Sequence, residues 1–243
     1  MQKVAIVTGA SRGIGRAVAL TLAQRGFAAL VNYAGSARDA EEAVAAIAKA
    51  GGTAVAFKAD VSSRAEIAAL FDEAERRFGG VDVLVNCAGV MGTPGKLAEA
   101  TDEAFDRHFA INVRGSFNAM REAARRLRDG GRIINLSSTT LGLNAPGYGI
   151  YNGTKGAVEG FTRVLAKELG SRKITVNALA PGPVGTELFL NGKTEAEVAR
   201  MASMAPQNRI GQPHEIAEVV AFLASPEAGW VSGQVVRVNG GIA

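Results

Sequence analysis

The 243-residue sequence predicts an α/β fold: one domain, residues 1–243, on a doubly wound parallel sheet of about seven strands with helices on both faces. Three observations predict it. Short apolar runs alternate with Ala-rich amphipathic stretches along the chain. The runs are apolar on both faces, as strands covered on both sides are. Many of the 30 glycines fall next to those runs, which marks working loops rather than low complexity. A content of 47% hydrophobic residues is ample for a large core.

The elements follow in order. Val4–Thr8 reads as the first strand and 14–25 as the first helix, with Gly9-Ala10-Ser11-Arg12-Gly13-Ile14-Gly15 spanning the turn and the helix start. Strand Ala28–Tyr33 and helix Ala37–Lys49 come next, then strand 54–58 and helix Arg64–Phe78. In that third helix Ile67, Leu70, Phe71, Ala74 and Phe78 recur at three- and four-residue steps, an amphipathic stripe. Strand 83–86, helix 102–127, strand 132–137, helix 151–169, strand 175–180, helix 215–224 and strand Val235–Val238 complete the series. Right-handed crossovers connect such strands, and ligands bind beyond their carboxyl ends. Every motif below falls just after a strand or on the following helix. The longest irregular segment is expected at about 181–194, as a mobile lid.

The net charge of +4 is mild, and acids and bases are interleaved, as in Glu73, Glu75, Arg76 and Arg77; no nucleic-acid partner is expected. Cys87 is the single cysteine, which excludes an intramolecular disulfide; it follows an apolar run and reads as a packing residue. His108 and His214 are far apart, and no metal site is expected. Met1-Gln2-Lys3 runs directly into the first strand, and no apolar run has the length of a membrane span. The expected compartment is the cytoplasm.

The first turn suits a pyrophosphate. Its glycines permit a tight bend and close approach of phosphate to backbone, and the helix start supplies free N–H groups and a positive dipole end. An acid at the end of the second strand would favour NAD(H), but Asn32-Tyr33-Ala34 stand there. Arg12 offers a forked donor for a 2′-phosphate, its alternative being a solvated loop residue. The pattern favours NADP(H) over NAD(H).

At this point the sequence resembles the short-chain dehydrogenase/reductase family in its compact form, over essentially its whole length. Thr8-Gly9-Ala10-Ser11-Arg12-Gly13-Ile14-Gly15 resembles the nucleotide turn, Asp60-Val61 the adenine-contacting pair, and Asn86-Cys87-Ala88-Gly89 the Asn-Asn-Ala-Gly segment after the fourth strand. Asn112, Ser138, Tyr151 and Lys155 match the catalytic set; Pro181-Gly182 with Val184 and Thr186 resembles the segment cradling the nicotinamide carboxamide. The resemblance implies a Rossmann-type fold and a homotetramer whose contacts include helices 102–127 and 151–169. The nearest subgroup resembles 3-oxoacyl-[acyl-carrier-protein] reductases. Cys87 departs from the pattern, as do Asn152 and Gly153, which stand where small residues such as Ser and Ala are usual. Asp129 occupies a turn where carrier-protein reductases tend to be basic, leaving Arg128 and Arg172 to meet an acidic carrier.

Tyr151 and Lys155 are four apart on a predicted helix and share a face; of Tyr33, Tyr148 and Tyr151, only the last has such a lysine. The ammonium is expected to stabilise the phenolate, so that Tyr151 exchanges a proton with a carbonyl/alcohol pair. Ser138 would orient the substrate oxygen; Ser137 competes for that role, and the family spacing selects Ser138. By resemblance Lys155 also binds the nicotinamide ribose, and Asn112 holds a water linking Lys155 to solvent. The segment 187–205 is expected to cover a small-molecule substrate, with Leu188, Phe189, Leu190, Met201 and Met204 as an apolar wall and Tyr148 and Leu143 nearby. Alternatives are a sugar, steroid or other alcohol dehydrogenase working oxidatively with NAD, and a nicotinamide-binding regulatory protein.

Overall fold

A computed structural model of the chain describes residues 2–243. Seven parallel strands form one sheet: β1 (Val4–Thr8), β2 (Ala28–Tyr33), β3 (Thr53–Lys58), β4 (Val81–Asn86), β5 (Leu127–Leu136), β6 (Thr175–Pro181) and β7 (Val235–Val238). Their order is β3-β2-β1-β4-β5-β6-β7, so the winding reverses between β1 and β4. That reversal opens a crevice at the carboxyl ends of the two strands.

The sheet separates two cores. In β1, Ala5 and Val7 point to one face and Val4 and Ile6 to the other, all fully buried. The first face packs on α1 (Gly13–Gln24), α2 (Ala37–Lys49) and α10 (Pro213–Leu223). The second packs on α3 (Arg64–Phe78) and α5 (Gly115–Arg126), with part of α7 (Gly149–Glu168). The stripe Ile67, Leu70, Phe71 and Ala74 of α3 is buried as expected, and Gly79 ends that helix in the left-handed region at φ 78°.

Three expectations change. Helix 102–127 is α4 (Asp102–His108), a π-helical turn Phe109–Arg114, then α5, and Leu127 already belongs to β5, pairing with Val81. The longest stretch without strand or α-helix is 87–101, which holds only the 3-10 turn Leu97–Glu99. Segment 181–194 is partly ordered by the short helix α8 (Glu187–Leu190), capped by Thr186, and α9 (Glu195–Ser203) follows it from a capping box of Thr194 and Glu197. The turn α6 (Thr140–Leu143) completes the helices used below. No helix among the described residues is long and apolar enough to cross a membrane.

Candidate active site

A cleft of about 700 Å³ opens at the carboxyl ends of the strands. Of the residues expected at the site, Gly9, Ser11, Arg12, Gly13, Ile14, Gly15, Asn32, Tyr33, Ala34, Asp60, Val61, Ala88, Gly89, Ser138, Tyr151, Lys155, Pro181, Gly182, Val184 and Thr186 line it. Asn86 and Asn112 do not. Asn86 is buried and donates its amide to Asn135 Oδ1 at 2.8 Å, inside the second core. Asn112 sits in the π-helical turn, 1% exposed. Its Nδ2 donates to Val90 O at 2.8 Å and Thr154 Oγ1 at 3.1 Å, and its Oδ1 accepts Val90 N at 2.8 Å. The amide is committed to pinning the start of loop 87–101.

The glycines of the first turn divide by cause. Gly9 has φ +62°, and a Cβ there would lie 2.8 Å from Ala88 Cα. A Cβ on Gly15 would lie 2.3 Å from Gly9 O. Both are demanded by the chain's own packing. Gly13, at φ +57°, meets nothing nearer than Thr186 at 3.5 Å and is the glycine open to a ligand. The first turn of α1 has no side-chain cap and no acid, so its N–H groups suit an incoming anion. Asn32, at the cleft, also holds this turn: Oδ1 accepts Gly9 N at 3.2 Å and Nδ2 donates to Ala59 O at 2.9 Å. Thr8 Oγ1 accepts both Cys87 N and Ala88 N at 3.1 Å, fixing the opposite wall. Burial pushes the Cys87 thiol up to about 12, against a lowering by Lys155, which keeps it an uncharged packing group.

Arg12 spans the cleft mouth, its Nη1 3.1 Å from Glu187 Oε2, with both side chains exposed. Gly35 and Ser36 line the same end and escaped the sequence reading. The signal was a helix cap directly after an acid-free strand end: Ser36 Oγ accepts Asp39 N at 3.3 Å.

Tyr151 and Lys155 share one face of α7, with Lys155 Nζ 5.5 Å from the Tyr151 ring centre. Lys155 Nζ donates to Leu136 O at 2.8 Å, leaving two of its three donors for the cleft. A Cβ on Gly89 would lie 3.3 Å from Asn112 Oδ1 and 3.7 Å from Lys155 Nζ, so glycine preserves this junction. Burial lowers the Lys155 ammonium to about 8 and raises the Tyr151 phenol to about 12. Ser138 beside the phenol acts against that rise, and the nearby Tyr148 phenol adds to it. Ser137 is claimed elsewhere, donating to Glu159 Oε1 at 2.6 Å, which leaves Ser138 as the serine at the phenol.

The far end of the cleft is apolar: Val90, Met91, Leu143, Tyr148, Leu188, Phe189, Met201, Met204 and Ile242. Leu190, expected in this wall, is 41% exposed and lies outside it. Val90, Met91 and Ile242 were not foreseen, because their loop and the chain end carry no periodicity to read. The charged side chains lining the cleft are Arg12, Asp60, Lys155 and Glu187.

A family model described as enoyl-(acyl carrier protein) reductase matches residues 9–243. A short-chain type dehydrogenase/reductase of Picea abies is 46% identical, the match covering 98% of this chain and 92% of that one. A versicolorin reductase of Emericella nidulans is 44% identical over 98% of this chain and 95% of its own. The crystal structure of an angucycline C-6 ketoreductase with bound NADP has a TM-score of 0.93 at 39% identity, covering 99% of this chain and 95% of that one. With the sheet order, the uncapped first helix and the Tyr151–Lys155 face already in view, these matches make the chain a member of the short-chain dehydrogenase/reductase family, an oxidoreductase acting on carbonyl or hydroxyl groups.

Proposed function

We propose that the protein is a cytoplasmic NADP(H)-dependent ketoreductase for a bulky, largely apolar ketone, with Tyr151 as general acid. The observation that carries this reading is the meeting of Tyr151, Ser138 and Lys155 in one cleft with the uncapped start of α1. The bound dinucleotide supplies the hydride. Around it, the N–H groups of the first turn of α1 hold the pyrophosphate, and Gly13 keeps their approach open. Arg12, Ser36 and the acid-free end of β2 serve the 2′-phosphate. Asp60 and Val61 face the adenine, and Pro181, Gly182, Val184 and Thr186 cradle the carboxamide. The two unspent donors of Lys155 suit ribose hydroxyls.

In reduction, Tyr151 gives its phenolic proton to the carbonyl oxygen while Ser138 donates a hydrogen bond to the same oxygen. In oxidation the phenolate takes the proton back. The apolar far wall and its adaptable methionines, on the segment 187–205, suit a large ring system rather than a small charged substrate. Two relatives, a versicolorin reductase and an angucycline C-6 ketoreductase, are named as reductases of carbonyl compounds, in keeping with that choice.

The 3-oxoacyl carrier-protein reading is weaker. Arg172 is bonded to Asp129 at 2.7 Å and to the Ala124 and Leu127 carbonyls, and Arg128 to Asp82 at 2.9 Å, so both are engaged within the chain. Half-exposed Phe117 on α5 and Phe161 on α7, 6.1 Å apart, support the homotetramer reading. The test is Tyr151→Phe against polycyclic ketones and a 3-oxoacyl thioester with NADPH. Turnover should fall by roughly 10²–10⁴ while NADPH binding persists. Retained turnover would remove Tyr151 as the acid.

A further inference from the structure

The Ser138 hydroxyl carries one proton and two lone pairs. Thr140 meets it twice: its backbone N donates to Ser138 Oγ at 3.2 Å, and its own Oγ1 lies 2.9 Å from the same atom. The Thr140 hydroxyl has no other hydrogen-bond partner among the described residues. Thr140 thus turns both its backbone N–H and its hydroxyl on one serine oxygen, at the edge of the cleft that both residues line. With both Thr140 donors filling the serine's lone pairs, the Ser138 proton is left for the cleft, into which Tyr151 also opens.

A second contact fixes the loop that carries Thr140. Asn152, next to Tyr151 on α7, donates from Nδ2 to Thr140 O at 3.1 Å. Its Oδ1 is buried with no partner. A buried amide that leaves one end unsatisfied is costly, and such a residue calls for a reason. Here its other end ties the helix bearing the phenol to the turn bearing the serine. The serine is thereby tied to the helix of the phenol: Thr140 holds Ser138, and Asn152, next to Tyr151 in the chain, holds Thr140.

We propose that Thr140 and Asn152 are positioning residues that make Ser138 a one-way hydrogen-bond donor into the cleft, its single proton going to the Tyr151 oxygen in the free enzyme and to the substrate carbonyl once substrate is bound. This rests on the assignment of Ser138 and Tyr151 above. Thr140 uses both donors to fill the serine's lone pairs, and Asn152 sets the distance between turn and helix. Neither touches the reacting atoms.

The test uses the full-length protein with NADPH and a ketone it turns over, and the corresponding alcohol in reverse. Thr140→Val should lower kcat roughly tenfold, short of the ~100-fold or more that loss of a donor itself costs in Ser138→Ala. NADPH affinity should be unchanged. The rising limb of the pH profile for alcohol oxidation should move to higher pH, since a freed serine favours the phenolate less. Thr140→Ser should restore rate and profile. Asn152→Ala should lower kcat without lowering Tm, because it also removes the orphaned oxygen. A Thr140→Val enzyme with wild-type kcat and an unmoved profile would overturn the proposal, as would rate loss that Thr140→Ser does not restore. Ser138→Ala at wild-type turnover would instead overturn the parent assignment.

Discussion

Two alanine substitutions in the first turn separate packing from ligand binding. Gly9 and Gly13 both have left-handed backbones, at φ +62° and +57°. An L-residue there costs about 1–2 kcal/mol. At Gly9 the added methyl also lies 2.8 Å from Ala88 Cα and 2.9 Å from Ala88 N, backbone that Thr8 holds in place. Relief requires moving the segment after β4, and overpacking of that kind costs about 1–3 kcal/mol more. Gly9→Ala should therefore lose roughly 2–5 kcal/mol, a fall in Tm of about 4–20 °C for a chain of this size. At Gly13 the nearest atom is Thr186 Cγ2 at 3.5 Å, an ordinary contact, so only the backbone cost of about 1–2 kcal/mol applies. Its methyl, however, stands in the cleft at the uncapped start of α1. Saturating NADPH should stabilise the wild type by about 2.7 kcal/mol at a hundred times Kd. That upward shift should shrink sharply in Gly13→Ala. The assay is thermal unfolding with and without NADPH, together with a fluorescence titration of NADPH. Wild-type NADPH affinity in Gly13→Ala would refute the placement of the pyrophosphate; a wild-type Tm in Gly9→Ala would refute the packing account.

Two further outcomes concern charge. The exposed Arg12–Glu187 pair, at 3.1 Å, contributes at most about 1 kcal/mol. Glu187→Gln should free Arg12 and tighten NADPH by roughly two- to fivefold with NADH unchanged, whereas Arg12→Ala should weaken NADPH far more than NADH; equal changes for both dinucleotides would remove the 2′-phosphate assignment. Lys155 is buried and its folded-state value is lowered to about 8, so the unfolded chain binds more protons above that pH, and its penalty fades as pH rises toward the ordinary lysine value. Lys155→Met should be more stable than wild type at pH 7, by on the order of 3 kcal/mol, with the gap narrowing by pH 10. A gap independent of pH in chemical denaturation would show that the ammonium is not the source.

Where the chain's chemistry is local, the sequence displays it. Helical spacing alone puts Lys155 beside Tyr151, and the apolar strand before Gly9 announces the nucleotide turn. Partner choice across long separations is not local. Nothing near Arg12 indicates Glu187, 175 positions away. Nothing near Asn112 indicates that Val90 and Thr154 consume its amide. The π-helical turn around it is invisible for the same reason, since its apolar pattern reads as uninterrupted helix. Asn32, Asn86 and Asn112 share one lesson: an asparagine beside a cleft can serve the cleft or the frame, and only its partners decide.

The balance of charge in the cleft follows from that distinction. Burial acts on Tyr151 and Lys155 alike, and it opposes the charged form of each. For Tyr151 burial outweighs the lowering influences, while Lys155 Nζ stands 5.5 Å from the ring centre and donates to Leu136 O. Among the chain's own groups, Ser138 favours the phenolate. A hydroxyl does so only while it donates; as an acceptor it would favour the protonated phenol. The direction of one proton thus fixes the sign of the serine's contribution, and under the proposal above Thr140, with two donors on Ser138 Oγ, fixes the direction. The spacing of tyrosine and lysine supplies the donors of this site, while the turn after β5 decides which way they point.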